Sequence, residues 1–183
     1  MARIGKLPVE IPEGLQVKIE LPLVKVTGPK GSLERKIPEG LGINMEDKKL
    51  FVRVKKNTKA NLANQGAIRS HLENMIKGVT QGWKKTLELV GAGYRAEVKG
   101  NELILTIGYS HLVTITAPIG IKFSVEKSLI NIEGADIEEV GLLAAKIRVV
   151  RPPDSYKGMG IRYRDEVLRK KPGKQTAKVE GAG

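Results

Sequence analysis

Slid against itself by 80 residues without gaps, the chain matches its own second half. Leu23 falls on Leu103, Gly28 on Gly108, Pro38 on Pro118, Gly40 on Gly120, Glu46 on Glu126 and Leu62 on Leu142. Apolar positions correspond as well: Leu41 with Ile121, Ile43 with Phe123, Met45 with Val125, Leu50 with Ile130 and Val52 with Ile132. Such a repeat predicts two copies of one supersecondary unit, each with an apolar face to bury. With 183 residues, either copy has enough chain for a modest core.

The period inside each copy sets the fold class. In the first, alternating stretches cover Leu15 to Glu20, Leu23 to Thr27, Ser32 to Ile37, Leu41 to Met45 and Leu50 to Val54. Gly28-Pro29-Lys30-Gly31, Pro38-Glu39-Gly40 and Glu46-Asp47 separate them, so they read as antiparallel strands. From Thr58 to Val79 the apolar residues Ala60, Ala63, Ala67, Leu72, Met75, Ile76 and Val79 recur at helical spacing, with Thr58 as N-cap and Gly78 near the end. The second copy repeats the plan, with strands at Lys85 to Val90, Tyr94 to Lys99, Glu102 to Ile107, Leu112 to Ala117, Ile121 to Val125 and Leu129 to Glu133. A helix is predicted from about Asp136 to Val150, where Asp136 and Glu139 have capping-box spacing and Lys146, Arg148 and Arg151 suit the negative end of the dipole. The predicted architecture is α+β: two tandem similar domains, 1–82 and 83–183, each a mainly antiparallel sheet packed on one helix. A basic C-terminal extension follows the second.

The copies have diverged in charge and aromatic content. All four tyrosines lie in the second. The chain carries a formal charge of +12, and the stretch from Arg148 to Lys178 holds ten basic and three acidic residues, so +7 of that total. A polyanion is the natural partner, because each phosphate neutralised releases condensed counterions. A solvated tail is the plainer alternative. It explains the charge, but not the tyrosines and glycines just before it.

Those residues form the segment Pro152 to Tyr163, PPDSYKGMGIRY. The proline pair stiffens its entry. Gly158 and Gly160 predict close approach of the main chain to a partner, since neither has a Cβ. Tyr156 and Tyr163 offer faces that either stack on bases or brace the loop, while Lys157 and Arg162 can meet phosphate. A glycine-rich surface turn that happens to be basic is the alternative.

Other chemistry finds little support. With no cysteine, disulfides, thiolate catalysis and cysteine-based metal sites are excluded. His71 falls on or near the apolar side of the first helix and reads as structural; His111 sits in a polar turn, either as an RNA contact or as a turn residue. Two histidines without HxxxH spacing predict no metal site. Gly91-Ala-Gly93-Tyr-Arg-Ala96 has the spacing of a dinucleotide-binding turn, but a hairpin pattern follows where a helix is required, so a bulge or inter-domain bend is the better reading and no cofactor is predicted. Ser110-His111, Asp154-Ser155 and Glu138-Glu139 form no nucleophile, base and acid set. No catalytic residue is assigned, and no small-molecule substrate is predicted. Trp83 reads as a packing anchor between the domains. Arg3 and Lys6 read as a minor basic contact or solvated ends. No apolar run approaches membrane-spanning length, and the start, MARIGKLPVEIP, lacks the apolar core of a secretory signal. No membrane is expected as a partner; the chain is expected to work where it is made, or as a mature form.

PPDSYKGMGIRY closely resembles the signature of the large-subunit ribosomal protein six family. The likeness extends to Arg3-Ile4-Gly5-Lys6 with Pro8, Ile11 and Pro12, to Val26-Thr27-Gly28-Pro29-Lys30-Gly31 and to Gly78-Val79-Thr80-Gln81-Gly82. It includes Gly91-Ala92-Gly93-Tyr94-Arg95-Ala96 and Gly108-Tyr109-Ser110-His111, in family order and spacing. The resemblance implies a non-enzymatic two-domain protein of the large ribosomal subunit, in a cytoplasmic or organellar ribosome. It implies binding to large-subunit rRNA, mainly through the second domain, close to the sarcin–ricin loop and the stalk base where translational GTPases dock, beside neighbouring ribosomal proteins. By position, Tyr156, Lys157, Gly158, Gly160, Ile161, Arg162 and Tyr163 fall on the family motif. Arg151, Arg164, Arg169, Lys170, Lys171 and Lys174 extend the expected RNA-binding set, with Tyr94, Arg95, Tyr109, Ser110, His111 and Met159 as a secondary group. Met159 stands where the family usually has lysine, and Leu112 where proline often follows the histidine. The tail is expected to order only on RNA.

Overall fold

The computed structural model describes residues 4–173. Strands β2 (Gln16–Glu20), β3 (Leu23–Gly28) and β4 (Gly31–Lys36) form an antiparallel sheet. β5 (Leu41–Glu46) and β6 (Lys49–Val54) form a hairpin, and a short strand β1 (Val9–Glu10) joins it in the order β1-β6-β5. Helix α1 (Lys59–Thr80) follows. In the second copy, β8 (Arg95–Lys99), β9 (Glu102–Thr106) and β10 (Val113–Thr116) make one sheet. β7 (Trp83–Val90), β11 (Ile121–Glu126) and β12 (Leu129–Gly134) belong to another, with helix α2 (Ile137–Val150) after them.

The duplication is visible in the backbone. The order β1-β6-β5 recurs as β7-β12-β11, and β2-β3-β4 recurs as β8-β9-β10. Gly40 and Gly120 both take φ of +90°, a left-handed geometry that a Cβ would strain. Beside them, the Leu41 N–H donates to the Pro38 carbonyl and the Ile121 N–H to the Pro118 carbonyl. The fold is α+β with two similar domains, as expected. Each copy divides its strands between two small sheets rather than keeping one. Pro38 and Pro118 stand where the chain leaves one sheet for the next, and a proline has no N–H to continue a ladder.

The helices start as their sequences require. The Asn61 N–H donates to the Thr58 hydroxyl oxygen, and the Glu138 N–H donates to Asp136 Oδ1. α1 packs on β1, β3, β4 and β6 with Ile68, Leu72, Met75, Ile76 and Val79 on its buried stripe. Gln65, buried among them, donates to the Val52 carbonyl at 2.7 Å, so its burial leaves no unpaired donor there. In the second copy the buried set includes Leu87, Leu89, Leu103, Leu105, Ile130, Ile132, Leu143 and Ile147.

In space the chain divides into two compact units. Among the described residues, one comprises 4–84, 118–122 and 133–142; the other comprises 85–117, 123–132 and 143–173. Within the first unit, Trp83 is half-buried and donates its indole N–H to the Asn74 carbonyl. His71 is also half-buried, 3.1 Å from both Glu138 Oε1 and Arg35 Nη2. Among the described residues no helix is long and apolar enough to cross a membrane. Arg3, Lys174 and Lys178 lie outside the described residues.

Candidate nucleic-acid interface

The second copy has one element the first lacks. After α2, the chain forms a loop from Arg151 to Met159 and returns as β13 (Gly160–Tyr163), antiparallel to β7. β13 was not legible as a strand: its glycine start and short length read as loop. Pairing sets Ile161 opposite Leu89 and Arg162 opposite Glu88. Ile161 is 0% exposed and belongs to the core. Its place in the expected RNA-binding set is therefore an anchoring one, because no ligand atom can reach its side chain.

The loop holds its own shape. The Gly158 N–H donates to the Asp154 carbonyl, the Asp154 N–H to the Met159 carbonyl, and the Ile161 N–H to the Arg151 carbonyl. Asp154 Oδ2 accepts the Lys157 N–H at 2.9 Å. That bond holds the Asp154 carboxyl below the usual range, helped by the backbone N–H groups of Tyr156 and Ser155. An Asp that bonds the backbone of its own turn has a recognisable sequence setting, here Asp154-Ser155-Tyr156-Lys157-Gly158.

Gly158 and Gly160 were expected to admit a partner. Their open sides are instead filled from within the chain. A Cβ on Gly160, at φ +145°, would meet the Pro152 carbonyl oxygen at 2.6 Å and Pro153 Cα at 2.7 Å. One on Gly158, at φ +74°, would meet Lys170 Cε at 2.9 Å. The glycines let the proline pair, the β13 start and the following segment close on one another.

The cations sort into two groups. Arg162 places Nε and Nη2 at 2.9 and 2.7 Å from Glu88 Oε2, and Arg148 bonds both oxygens of Glu166. The Arg148 bond holds the Glu166 carboxyl below its usual range, and the Arg148 guanidinium is raised in return. Arg162 was expected to neutralise phosphate; its charge is already met across the β7–β13 pair, and it braces the sheet. Arg162 and Glu88 lie 74 positions apart, so no local pattern in the sequence links them. By contrast Lys157, Arg164, Arg169, Lys170 and Lys171 are exposed and join no ion pair among the described residues. The Lys171 N–H donates to the Ser155 carbonyl, bringing the 168–171 segment against the loop that carries Lys157. The Arg164 N–H likewise donates to the Thr86 carbonyl, so the start of the extension is tied to β7 and Lys171 to the loop.

The aromatic residues divide in the same way. Tyr163 is half-buried between cations, 6.0 Å from Lys85 Nζ and 5.9 Å from Arg148 Cζ, so it braces. Tyr156 is 59% exposed. Arg151 Cζ lies 5.7 Å from the Tyr94 ring and 5.0 Å from the Tyr109 ring. Tyr109 in turn stacks on His111, with centroids 5.8 Å apart and planes within 10°. Tyr94, Arg151, Pro152, Pro153, Asp154, Ser155, Lys157 and Met159 line one open groove. Ser110 is exposed in the same turn as His111, and Arg95 is exposed on β8. Gly91-Ala92-Gly93 is a turn from β7 into β8, not a helix start, so the dinucleotide spacing lacks its structural context. Among the described residues no group of His, Cys, Asp or Glu side chains has the makings of a metal site.

The family model for ribosomal protein L6 matches this chain over residues 11–82 and 90–164. The chain belongs to the ribosomal protein L6 family. It is similar to the large ribosomal subunit protein uL6 of Moorella thermoacetica, at 48% identity over 97% of this chain and 98% of that protein. The corresponding protein of Synechococcus sp. strain RCC307 is 45% identical over 97% of this chain and 100% of its own length. That of Thermoanaerobacter sp. strain X514 is 47% identical over 97% and 100%. As a family member the chain is a structural component of the large ribosomal subunit and part of the ribosome, not an enzyme. The two matched stretches each cover one copy of the repeat, and the second takes in the loop and β13.

Proposed function

We propose that the chain binds large-subunit rRNA, mainly through the extension of its second repeat, with 1–82 and 83–183 as the two repeat domains. One observation carries this reading: among the described residues Arg148 and Arg162 are ion-paired, whereas Lys157, Arg164, Arg169, Lys170 and Lys171 are exposed and in no ion pair, with Lys170 and Lys171 against the loop that carries Lys157. Lys157, Arg164, Arg169, Lys170 and Lys171 neutralise phosphates, with Lys174 continuing the set. Gly158, Gly160, Ile161, Arg162 and Tyr163 hold the loop that presents them. Arg151, Tyr156, Tyr94, Tyr109 and His111 supply faces for bases or sugars, with Arg95, Ser110 and Met159 at the margin. The family resemblance supports a position near the sarcin–ricin loop and the stalk base, beside neighbouring ribosomal proteins and within reach of docking translational GTPases. The bacterial relatives support the cytoplasmic ribosome.

The test is binding of the full chain to large-subunit rRNA fragments across a salt series, with an unrelated folded RNA as control. Preference for the rRNA fragment, with a log–log slope corresponding to about five phosphates, supports the reading. Equal affinity for both RNAs would make the chain a general single-strand or phosphate binder and overturn it.

A further inference from the structure

The layered side chains around Arg151 go beyond charge. Tyr94, Arg151, Tyr109 and His111 come from three separate places in the chain: the β7–β8 turn, the end of α2 and the β9–β10 turn. Their arrangement is built, not incidental. A Cβ on Gly91 would meet the Tyr94 ring at 2.8 Å, so only glycine lets that ring fold back there. The Tyr109 hydroxyl donates to the Val150 carbonyl at 2.9 Å, which fixes the ring next to the end of α2. Yet the assembly is left open to solvent: Tyr109 is 44% exposed, and His111 is exposed beyond it. Rings packed only to bury apolar area would be covered. Here parallel π-faces are positioned in advance and left accessible, beside a groove that also holds Lys157.

We propose that this stack seats an unpaired nucleobase of the bound RNA, which lies on the exposed imidazole of His111. The proposal rests on the rRNA-binding reading and names the ligand group for one part of that site. A base inside a duplex has both faces occupied by its neighbours; only a looped-out, bulged or terminal base can add a layer to a stack of side chains. Stacking is tolerant of base identity, so this contact selects RNA shape rather than sequence.

The experiment compares the wild-type chain with His111→Ala and His111→Phe on the same large-subunit rRNA fragment. 2-Aminopurine is placed at each unpaired position in turn. His111→Ala is expected to weaken binding by about 5- to 150-fold, the range of one lost base–aromatic stack. His111→Phe should stay within about threefold of wild type, because the flat face is kept. Neither should change the salt slope, since no phosphate contact is removed. One 2-aminopurine should be quenched on binding by wild type and His111→Phe, but not by His111→Ala. Thermal melting of both variants should match wild type, because His111 is exposed. Unchanged affinity in His111→Ala overturns the proposal, as does a loss in His111→Phe equal to that in His111→Ala. If the wild-type chain shows no preference for rRNA, the underlying reading fails instead, and the two failures are distinct.

Discussion

After α1 the chain caps with Gln81 and Gly82 and passes into β7; after α2 it builds a loop and returns as β13 on the edge of β7. The same strands and the same kind of helix precede both endings. The helix starts differ as well. α2 opens with Glu138 and Glu139, which suit the positive end of its dipole, whereas α1 has no acid in its first turn and is preceded by Lys55 and Lys56. The second ending is an addition to a shared framework. The framework in each copy is fixed by apolar periodicity and turn glycines. The second copy then carries a further segment that covers the edge of β7 and holds Lys170 and Lys171 against the loop of Lys157.

Variants at the two endings should break this comparison to different degrees. The largest effect is expected for Gly160→Val. It strains a φ of +145° and drives side-chain atoms into the Pro152–Pro153 backbone. Stability should fall by about 2 kcal/mol or more, with rRNA affinity reduced by about 100-fold or more. Retained affinity would show that the loop shape is irrelevant to binding. Leu72→Ala, in the core of the first unit, should cost about 2–5 kcal/mol in denaturant unfolding. Well below its melting temperature it should bind rRNA as wild type does. A matching loss of affinity would mean that the first copy takes part in the site.

A sharper test uses Glu88→Gln, which removes the charge opposite Arg162 and leaves only a neutral acceptor. The paired side chains are 29% exposed each, so a loss of about 0.5–1.5 kcal/mol is expected, with rRNA affinity within threefold of wild type. A marked gain in affinity would show that Arg162, once released, reaches phosphate. The smallest effect concerns acid. Asp154 and Glu166 both have lowered folded-state pKa values, so their contribution is present above the ordinary carboxylate range and is lost as pH falls through the folded values. Amide exchange at Lys157 should therefore stay protected through the ordinary aspartate range and lose protection only below it, and Asp154→Asn should remove that pH dependence. In the first unit Glu73, lowered by its bond from Lys77, should show the same acid sensitivity in α1 without any effect on the loop.

Much of the framework was legible because it is local. Period-two alternation, the cap at Thr58 and the paired glycines Gly40 and Gly120 each act within a few residues. β1 and β13 were not legible, since two and four residues give no usable period and their pairing partners lie far along the chain. The site shows the same division. The basic, glycine-rich segment announced itself by composition. Which cations are committed internally depended on Glu88 and Glu166, and only the fold brings them to Arg162 and Arg148. The glycines were rightly singled out as positions without room for a Cβ, but the neighbour filling that room is the chain itself.

The central claim is that phosphate binding is concentrated at the added ending of the second copy. It is tested most directly by matched charge removal in the two copies, read as the salt dependence of rRNA binding. The variants are Lys157→Gln with Lys170→Gln and Lys171→Gln, against Lys55→Gln with Lys56→Gln and Lys59→Gln. The slope should fall by roughly two to three in the first variant and stay at the wild-type value in the second. Equal falls in both, or a fall confined to the second, would contradict the claim.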